Sequence, residues 1–129
     1  MSLRVLIADC LDETRQSLRG TLEGLGQFEF VEVDNGADAM ARLTSSRFDL
    51  ILLGVALPRL SGEKVLELIK SRMAIYPETP VLMICSDRAS MTPEDAGAKW
   101  AYGCVTAEAS SADLEPAVEV AARLASTDL

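Results

Sequence analysis

The chain has 129 residues, of which 49% are hydrophobic and 25% charged, and its formal net charge at pH 7 is −8. This is typical of one soluble domain with a real core, without a nucleic-acid surface, a signal segment or an apolar run long enough to cross a membrane. The absence of histidine removes the commonest general base and metal ligand, and an odd count of three cysteines favours a reduced, cytoplasmic setting.

The first part of the chain alternates short apolar runs with amphipathic segments. Residues 3–8 are rich in β-branched residues and leucine and predict a strand. Asp12 is the predicted N-cap of a helix that ends at Gly26. Residues 28–33 alternate apolar and acidic types, which predicts an edge strand with one solvent-exposed face. A turn then leads into a short predicted helix over 37–43.

The central strand is predicted at residues 50–53, an unbroken run of leucine and isoleucine that suits burial on both faces. A turn follows from Pro58 to Gly62. Pro116 is tolerated in the last helix if it lies in the first turn. The remaining predicted elements are helices over about 62–73 and 92–101, strands over 81–84 and 102–106, and a helix from about 110–113 to 125.

Five alternations of strand and helix predict an α/β fold with a parallel sheet covered on both faces. The flavodoxin-like (βα)5 doubly wound order 2-1-3-4-5 fits best, because the second strand has an edge pattern and the third a central one. We expect residues 1–129 to form a single domain, either independent or part of a longer signalling protein.

The run from Asp49 to Gly62 carries a family resemblance. It reads Asp-Leu-Ile-Leu-Leu-Gly-x-x-Leu-Pro-x-Leu-Ser-Gly and resembles the phosphoacceptor segment of receiver domains in bacterial response regulators, Asp-Leu-Ile-Leu-Leu-Asp-x-x-Met-Pro-x-Met-Asp-Gly. The second Asp of that family segment accepts the phosphoryl group, and this chain has Gly54 there. The resemblance spans about residues 4–125 and implies a two-component signalling module rather than an enzyme.

The resemblance also implies a Mg²⁺ site at the end of the first strand, where receivers have an acidic pair. This chain has Asp9 followed by Cys10. Mg²⁺ is a hard cation that prefers oxygen ligands, whereas a thiol is a soft ligand. We therefore expect no cofactor or metal, with Mg²⁺ binding lost or weak.

Two further receiver positions are altered. The Thr or Ser that ends the fourth strand corresponds to Cys85, or to Ser86 if the register differs by one residue. The Lys-Pro pair that ends the fifth strand corresponds to Thr106 and the alanine after it, and no lysine follows Lys99. Carboxylate attack on a phosphoryl donor needs Mg²⁺ and a lysine to neutralise the crowded negative charge. The combined losses predict a pseudo-receiver without phosphoryl-transfer chemistry.

Several acidic residues have simpler interpretations. Asp9 is interpreted as a helix N-cap or a solvated carboxylate. Asp49 begins its strand at the opposite edge of the sheet and is interpreted as a solvated terminus. Asp87 could replace the phosphoacceptor only if its loop rearranged.

The main hypothesis is a signalling module that works by protein–protein contact, independently of phosphorylation. In receivers the fourth helix, fifth strand and fifth helix form the usual output and dimer face. That resemblance implies a protein partner, an output domain or a second copy of the chain at a face that includes Trp100 and Tyr102. Trp100 is otherwise a packing residue, because one aromatic makes no binding box. Phosphorylation at an unexpected Asp is an alternative.

A thiol-based redox or metal sensor is another alternative. Cys10 and Cys85 are predicted to face each other across Gly54, with Cys104 one strand further out. Strands separated by a third lie roughly 9–10 Å apart, whereas a disulfide needs α-carbons within about 7 Å, so no direct bond is expected. The favoured interpretation is that these cysteines are small buried hydrophobic residues.

Overall fold

The computed structural model describes residues 2–72, 78–85 and 102–127, and these residues form the predicted flavodoxin-like sheet. The strands are β1 (Leu3–Ala8), β2 (Phe28–Val33), β3 (Leu50–Gly54), β4 (Val81–Ile84) and β5 (Gly103–Val105). All pairings are parallel and the strand order is β2-β1-β3-β4-β5, as predicted. The described α-helices are α1 (Asp12–Glu23), α2 (Gly36–Ser45), α3 (Gly62–Glu67) and α4 (Ser111–Thr127).

Helices cover both faces of the sheet, because alternate residues of the central strands point to opposite sides. Leu6 of β1 and Ile51 of β3 belong to the core under α2 and α3. Val5 and Leu52 belong to the core under α1 and α4. Every residue of β3 is buried, which is what an unbroken apolar run predicts for a central parallel strand.

The predicted boundaries of α1 were wrong by one or two residues. Leu11, not Asp12, occupies the N-cap position, and its side chain makes no capping hydrogen bond. Asp12 is instead the first helical residue, where its carboxylate faces the positive end of the helix dipole. The helix ends at Glu23 and is capped by Gly24 rather than reaching Gly26.

The prediction for β2 was right about its place at the sheet edge and wrong about a solvent-exposed face. Phe28 and Phe30 pack toward α1 and α4, whereas Val31 and Val33 pack toward α2. The alternation of apolar residues along β2 shifts by one position between Phe30 and Val31. The apolar residues of the first half of the strand therefore lie on one face of the sheet, and those of the second half on the other. Both faces are therefore partly covered.

Later elements differ from the predicted spans in detail. The predicted helix over 62–73 is α3 followed by a π-helical turn at Leu68–Arg72. The predicted helix over 92–101 lies outside the described residues. Pro116 lies in the second turn of α4 rather than the first. Among the described residues, no helix is long and apolar enough to span a membrane.

Two glycines allow the loop after β3 to pack against its neighbours. A Cβ on Gly36, at the start of α2, would lie 1.8 Å from the carbonyl oxygen of Leu60. A Cβ on Gly62 would lie 1.9 Å from the carbonyl oxygen of Gly54. Neither distance is compatible with a side chain, so both positions need glycine for close backbone contact.

We expect Gly36→Ala to lower the free energy of unfolding by about 1–3 kcal/mol, because the loop must move away from α2. Gly20→Ala is a matched control on the exposed side of α1, where a Cβ would meet no atom within 4 Å. It should raise the free energy of unfolding by about 0.5–1 kcal/mol through helix propensity. Urea denaturation measures both, and equal effects would contradict the packing argument.

Lys70 is the partly buried cation of the π-helical turn. Its Nζ donates a hydrogen bond of 2.5 Å to the carbonyl oxygen of Thr79. Burial lowers the pKa of Lys70 from 10.5 to about 8. The free-energy cost of burying the charged Lys70 side chain in this turn therefore depends on pH.

Between pH 8 and 10 the unfolded chain keeps the proton that folded Lys70 loses, so the free energy of unfolding should rise with pH. One proton contributes at most about 1.4 kcal/mol per pH unit, and partial solvent access reduces this. Lys70→Met should remove this contribution, whereas the more exposed Lys64→Met should keep it. Urea denaturation at several pH values compares the three proteins, and parallel curves for wild type and Lys70→Met would contradict the assignment.

Candidate functional site

The carboxyl ends of the central strands open into a cleft of about 570 Å³. This is the edge at which open α/β sheets usually carry their sites. Carboxylates, thiols and apolar side chains share its lining: Asp9, Glu13 and Glu108; Cys10 and Cys85; Leu11, Val55, Ala56 and Ile84. The cleft thus combines an apolar floor with acidic groups.

Asp9 lies directly against Gly54. A Cβ built on Gly54 would lie 2.8 Å from Asp9 Oδ1 and 3.1 Å from the carbonyl oxygen of Ala8. The other carboxylate oxygen of Asp9 accepts a 2.9 Å hydrogen bond from the backbone N–H of Leu11. The carboxylate therefore occupies the space in which a side chain at position 54 would begin.

Cys10 and Cys85 line this cleft together, but their surroundings differ. Cys10 is exposed, whereas Cys85 is buried and its thiol donates to the carbonyl oxygen of Val105 at 3.5 Å. Cys104 is partly buried and packs against the core under α2 and α3. No disulfide joins any two of these three described cysteines.

The described residues that line the cleft include no lysine or arginine. Arg15 lies close by, but its guanidinium donates to the carbonyl oxygen of Asp9 at 2.6 Å and pairs with Glu32 at 3.1 Å and Asp12 at 3.0 Å. Glu32 also pairs with Arg19 at 2.9 Å. The guanidinium of Arg15 is therefore already engaged in contacts that link the turn after β1 to α1 and β2.

The receiver positions for Mg²⁺ at this cleft supply one carboxylate and one thiol as donor groups. Asp9 offers one oxygen that is not already accepting the Leu11 N–H, Cys10 offers sulfur, and Gly54 offers no side chain. Mg²⁺ requires near-octahedral oxygen coordination. Within 2–72, 78–85 and 102–127, no group of three or more cysteine or acidic side chains is arranged to hold a metal ion.

Other predicted residues have separate roles or lie elsewhere. Thr106 is partly buried after β5 and is absent from the described lining of the cleft. Tyr102 is 49% exposed.

The interpretation of Asp49 as a solvated terminus was wrong, because its carboxylate accepts a 2.9 Å hydrogen bond from the backbone N–H of Arg4. Ser86, Asp87 and Trp100 lie outside the described residues.

Sequence reasoning did not predict the acidic members Glu13 and Glu108. Glu13 comes from the first turn of α1, and Glu108 from the loop after β5. A signal was present, since segments that follow parallel strands gather at one edge of the sheet. Acidic residues within five positions of a strand end were therefore candidates.

We expect Gly54→Ala to destabilise the protein by about 1–3 kcal/mol, because its Cβ displaces the Asp9 carboxylate. Asp9→Ala removes that obstacle, so the double variant should lose less stability than the two single changes combined. The expected coupling is about 0.5 kcal/mol or more, measured by urea denaturation in a double-mutant cycle. Simple additivity would show that the two positions do not interact.

Comparison with known proteins identifies the family of this chain. A family model described as the response regulator receiver domain matches residues 5–119. The response regulator protein FleR of Pseudomonas aeruginosa is 36% identical over 84 residues, which are 65% of this chain and 17% of FleR. Protein PilG of the same organism is 30% identical over 84 residues, 65% of this chain and 61% of PilG. The chain thus spans less than two thirds of either relative.

Solved structures show the same architecture. The crystal structure of NtrX from Brucella abortus superposes with a TM-score of 0.78 at 25% identity and covers 98% of this chain and 29% of NtrX. The family match extends over most of the chain, and its five parallel strands have the order predicted from the sequence. The chain therefore belongs to the receiver domain family of response regulators in two-component signalling.

Proposed function

We propose that this domain is a pseudo-receiver, which transmits a signal by binding a protein partner and forms no aspartyl phosphate. The observation that carries the proposal is the end of β3. Gly54 is its last residue, and it has no atom that could accept a phosphoryl group. The residues around Gly54 resemble the receiver segment, but position 54 lacks the aspartate that accepts the phosphoryl group in that family.

The electrostatics of the cleft support this proposal. Attack by a carboxylate on a phosphoryl donor brings several negative charges together, and receivers neutralise them with Mg²⁺ and a lysine. The described lining of the cleft has carboxylates without any lysine or arginine, and its donor set does not suit Mg²⁺. Asp9 is accordingly a poor replacement nucleophile, although it lies beside Gly54.

The partner surface proposed from the family is the face that includes β5 and the last helix, α4. Tyr102, at the start of β5, is half exposed and offers an aromatic contact. Glu115, Glu119 and Arg123 are exposed on α4, so this helix presents charges of both signs. The proposed occupant of this face is an output domain, a separate protein or a second copy of the chain. The proposal also includes a cytoplasmic setting.

Thiol chemistry is the second candidate, because Cys10 and Cys85 line the same cleft. Reactive cysteines usually lie in electropositive, partly exposed surroundings. The described lining contains acids and no basic residue, and Cys85 is buried. Protein contact therefore remains the better-supported function.

Incubation with acetyl phosphate and Mg²⁺ should produce no labelled protein. Gly54→Asp alone should restore little labelling, because the cation and the second metal ligand are still missing. Gly54→Asp combined with Cys10→Asp and Thr106→Lys should be labelled at least about tenfold faster, since it returns the nucleophile, an oxygen ligand and a positive charge. Phosphate-affinity gels and intact mass measure the label.

The control is thermal unfolding of each variant, so that a misfolded protein is not scored as an inactive one. A hydroxylamine-labile, stoichiometric label on the wild-type chain would overturn the proposed function. Rapid Mg²⁺-dependent labelling of Gly54→Asp alone would show that the cleft lacks only its nucleophile.

A further inference from the structure

The cleft beside Gly54 has a floor and a rim of different chemistry. Val55 and Ile84, at the ends of β3 and β4, supply apolar surface, and Ile84 is only 4% exposed. Glu13, from α1, and Glu108, from the loop after β5, both lie on the lining. Within the described part of the chain, the side-chain carboxylate of neither glutamate makes a hydrogen bond or an ion pair. An apolar hollow with unpaired carboxylates complements a side chain that has an aliphatic stem and a cationic head.

Leu11 extends the apolar surface at this cleft. It is 61% exposed, although it occupies the N-cap position of α1, where serine, threonine, aspartate or asparagine is preferred. Its backbone is extended, with φ −98° and ψ 122°, so a polar cap residue would fit there without strain. The chain thus has an exposed leucine where a polar residue would improve stability. Departures of this kind from local preference concentrate at functional positions.

We propose that the cleft binds a lysine or arginine side chain of a protein partner, and that an apolar residue of the same partner segment packs on Leu11. The stem of the basic residue lies on Val55 and Ile84, and its charge meets Glu13 and Glu108. The partner supplies in trans the positive charge that the described lining lacks. This inference rests on the proposed function, because it names a partner chemistry for a domain that acts by protein contact.

A protein segment suits the cleft better than a small organic cation. The cleft is open, with an exposed leucine beside it, and a free amine would leave Leu11 uncovered. Charge complementarity at exposed groups contributes modestly to affinity and mainly to specificity. Affinity therefore has to come from apolar contacts that flank the basic residue.

The probe is the peptide acetyl-Leu-Lys-Leu-amide, titrated into the ¹⁵N-labelled full chain and followed by NMR. Amide shifts should concentrate at residues 10, 11, 55, 56 and 107, which line the cleft. The matched peptide with norleucine in place of lysine keeps the stem and lacks the charge. It should bind about fivefold to tenfold more weakly, and raised salt should reduce only the binding of the lysine peptide.

Two variants test the two halves of the site. Glu13→Gln with Glu108→Gln should weaken the lysine peptide about fivefold to tenfold and leave the norleucine peptide unchanged. Glu23→Gln with Glu78→Gln, at exposed positions that do not line the cleft, is the charge-matched control and should change neither. Leu11→Ser should weaken both peptides, and the protein should remain folded because serine is a favourable N-cap.

Equal binding of the two peptides, or shifts spread over the surface away from the cleft, would overturn the inference. Binding of n-butylammonium as tight as that of the lysine peptide would identify a small-cation site and would also overturn it. A failure of this inference can be distinguished from a failure of the proposed function. An aspartyl phosphate would overturn that function whatever the peptide does, whereas a failed peptide titration on an unphosphorylated domain removes this partner chemistry alone.

Discussion

The backbone contact between Gly54 and Gly62 determines the shape of this end of the molecule. Gly62 approaches the carbonyl oxygen of Gly54 so closely that no side chain fits, and its N–H donates to the carbonyl oxygen of Val55 at 3.1 Å. The N–H of Val55 donates in turn to the carbonyl oxygen of Ile84 at 3.0 Å. The end of β3, the end of β4 and the start of α3 are thus tied together by main-chain groups. The floor of the cleft does not require the side chain that a receiver nucleophile would have.

The proposed loss of phosphoryl chemistry is electrostatically consistent across the cleft. Two carboxylates about 4 Å apart repel by roughly 4 kcal/mol at an effective dielectric constant of 20, unless a cation lies between them. An aspartate at position 54 beside Asp9 would carry this repulsion, and the described lining offers no basic residue to relieve it. Glycine at position 54 and a thiol at Cys10 remove two such charges. Each of these two residues therefore lowers the repulsion within the cleft.

Hydrophobic periodicity was sufficient to predict the sheet, because buried parallel strands such as β3 are continuous apolar runs whatever their surroundings. It failed at α1, where Asp12 is chemically a good cap but the chain turns one residue earlier and Asp9 satisfies the Leu11 N–H. Strand ends likewise predicted that Asp9 and Cys85 would lie at one edge. Glu108 lies three residues after the end of β5, so the strand end also predicted its place at this edge, but hydrophobic periodicity gives no signal for an exposed acidic residue.

A signalling domain needs some event that distinguishes two of its states. Shifting an equilibrium from 1:99 to 99:1 takes a ligand that favours one state about 10⁴-fold, or about 5.5 kcal/mol. A covalent phosphoryl group is one source of that difference, and a pseudo-receiver must obtain it from contacts with its partner. A partner segment in the cleft would contact the ends of β3 and β4, the start of α1 and the loop after β5 at the same time. Contacts with these elements that differ between the two states are how the proposed site would favour one state.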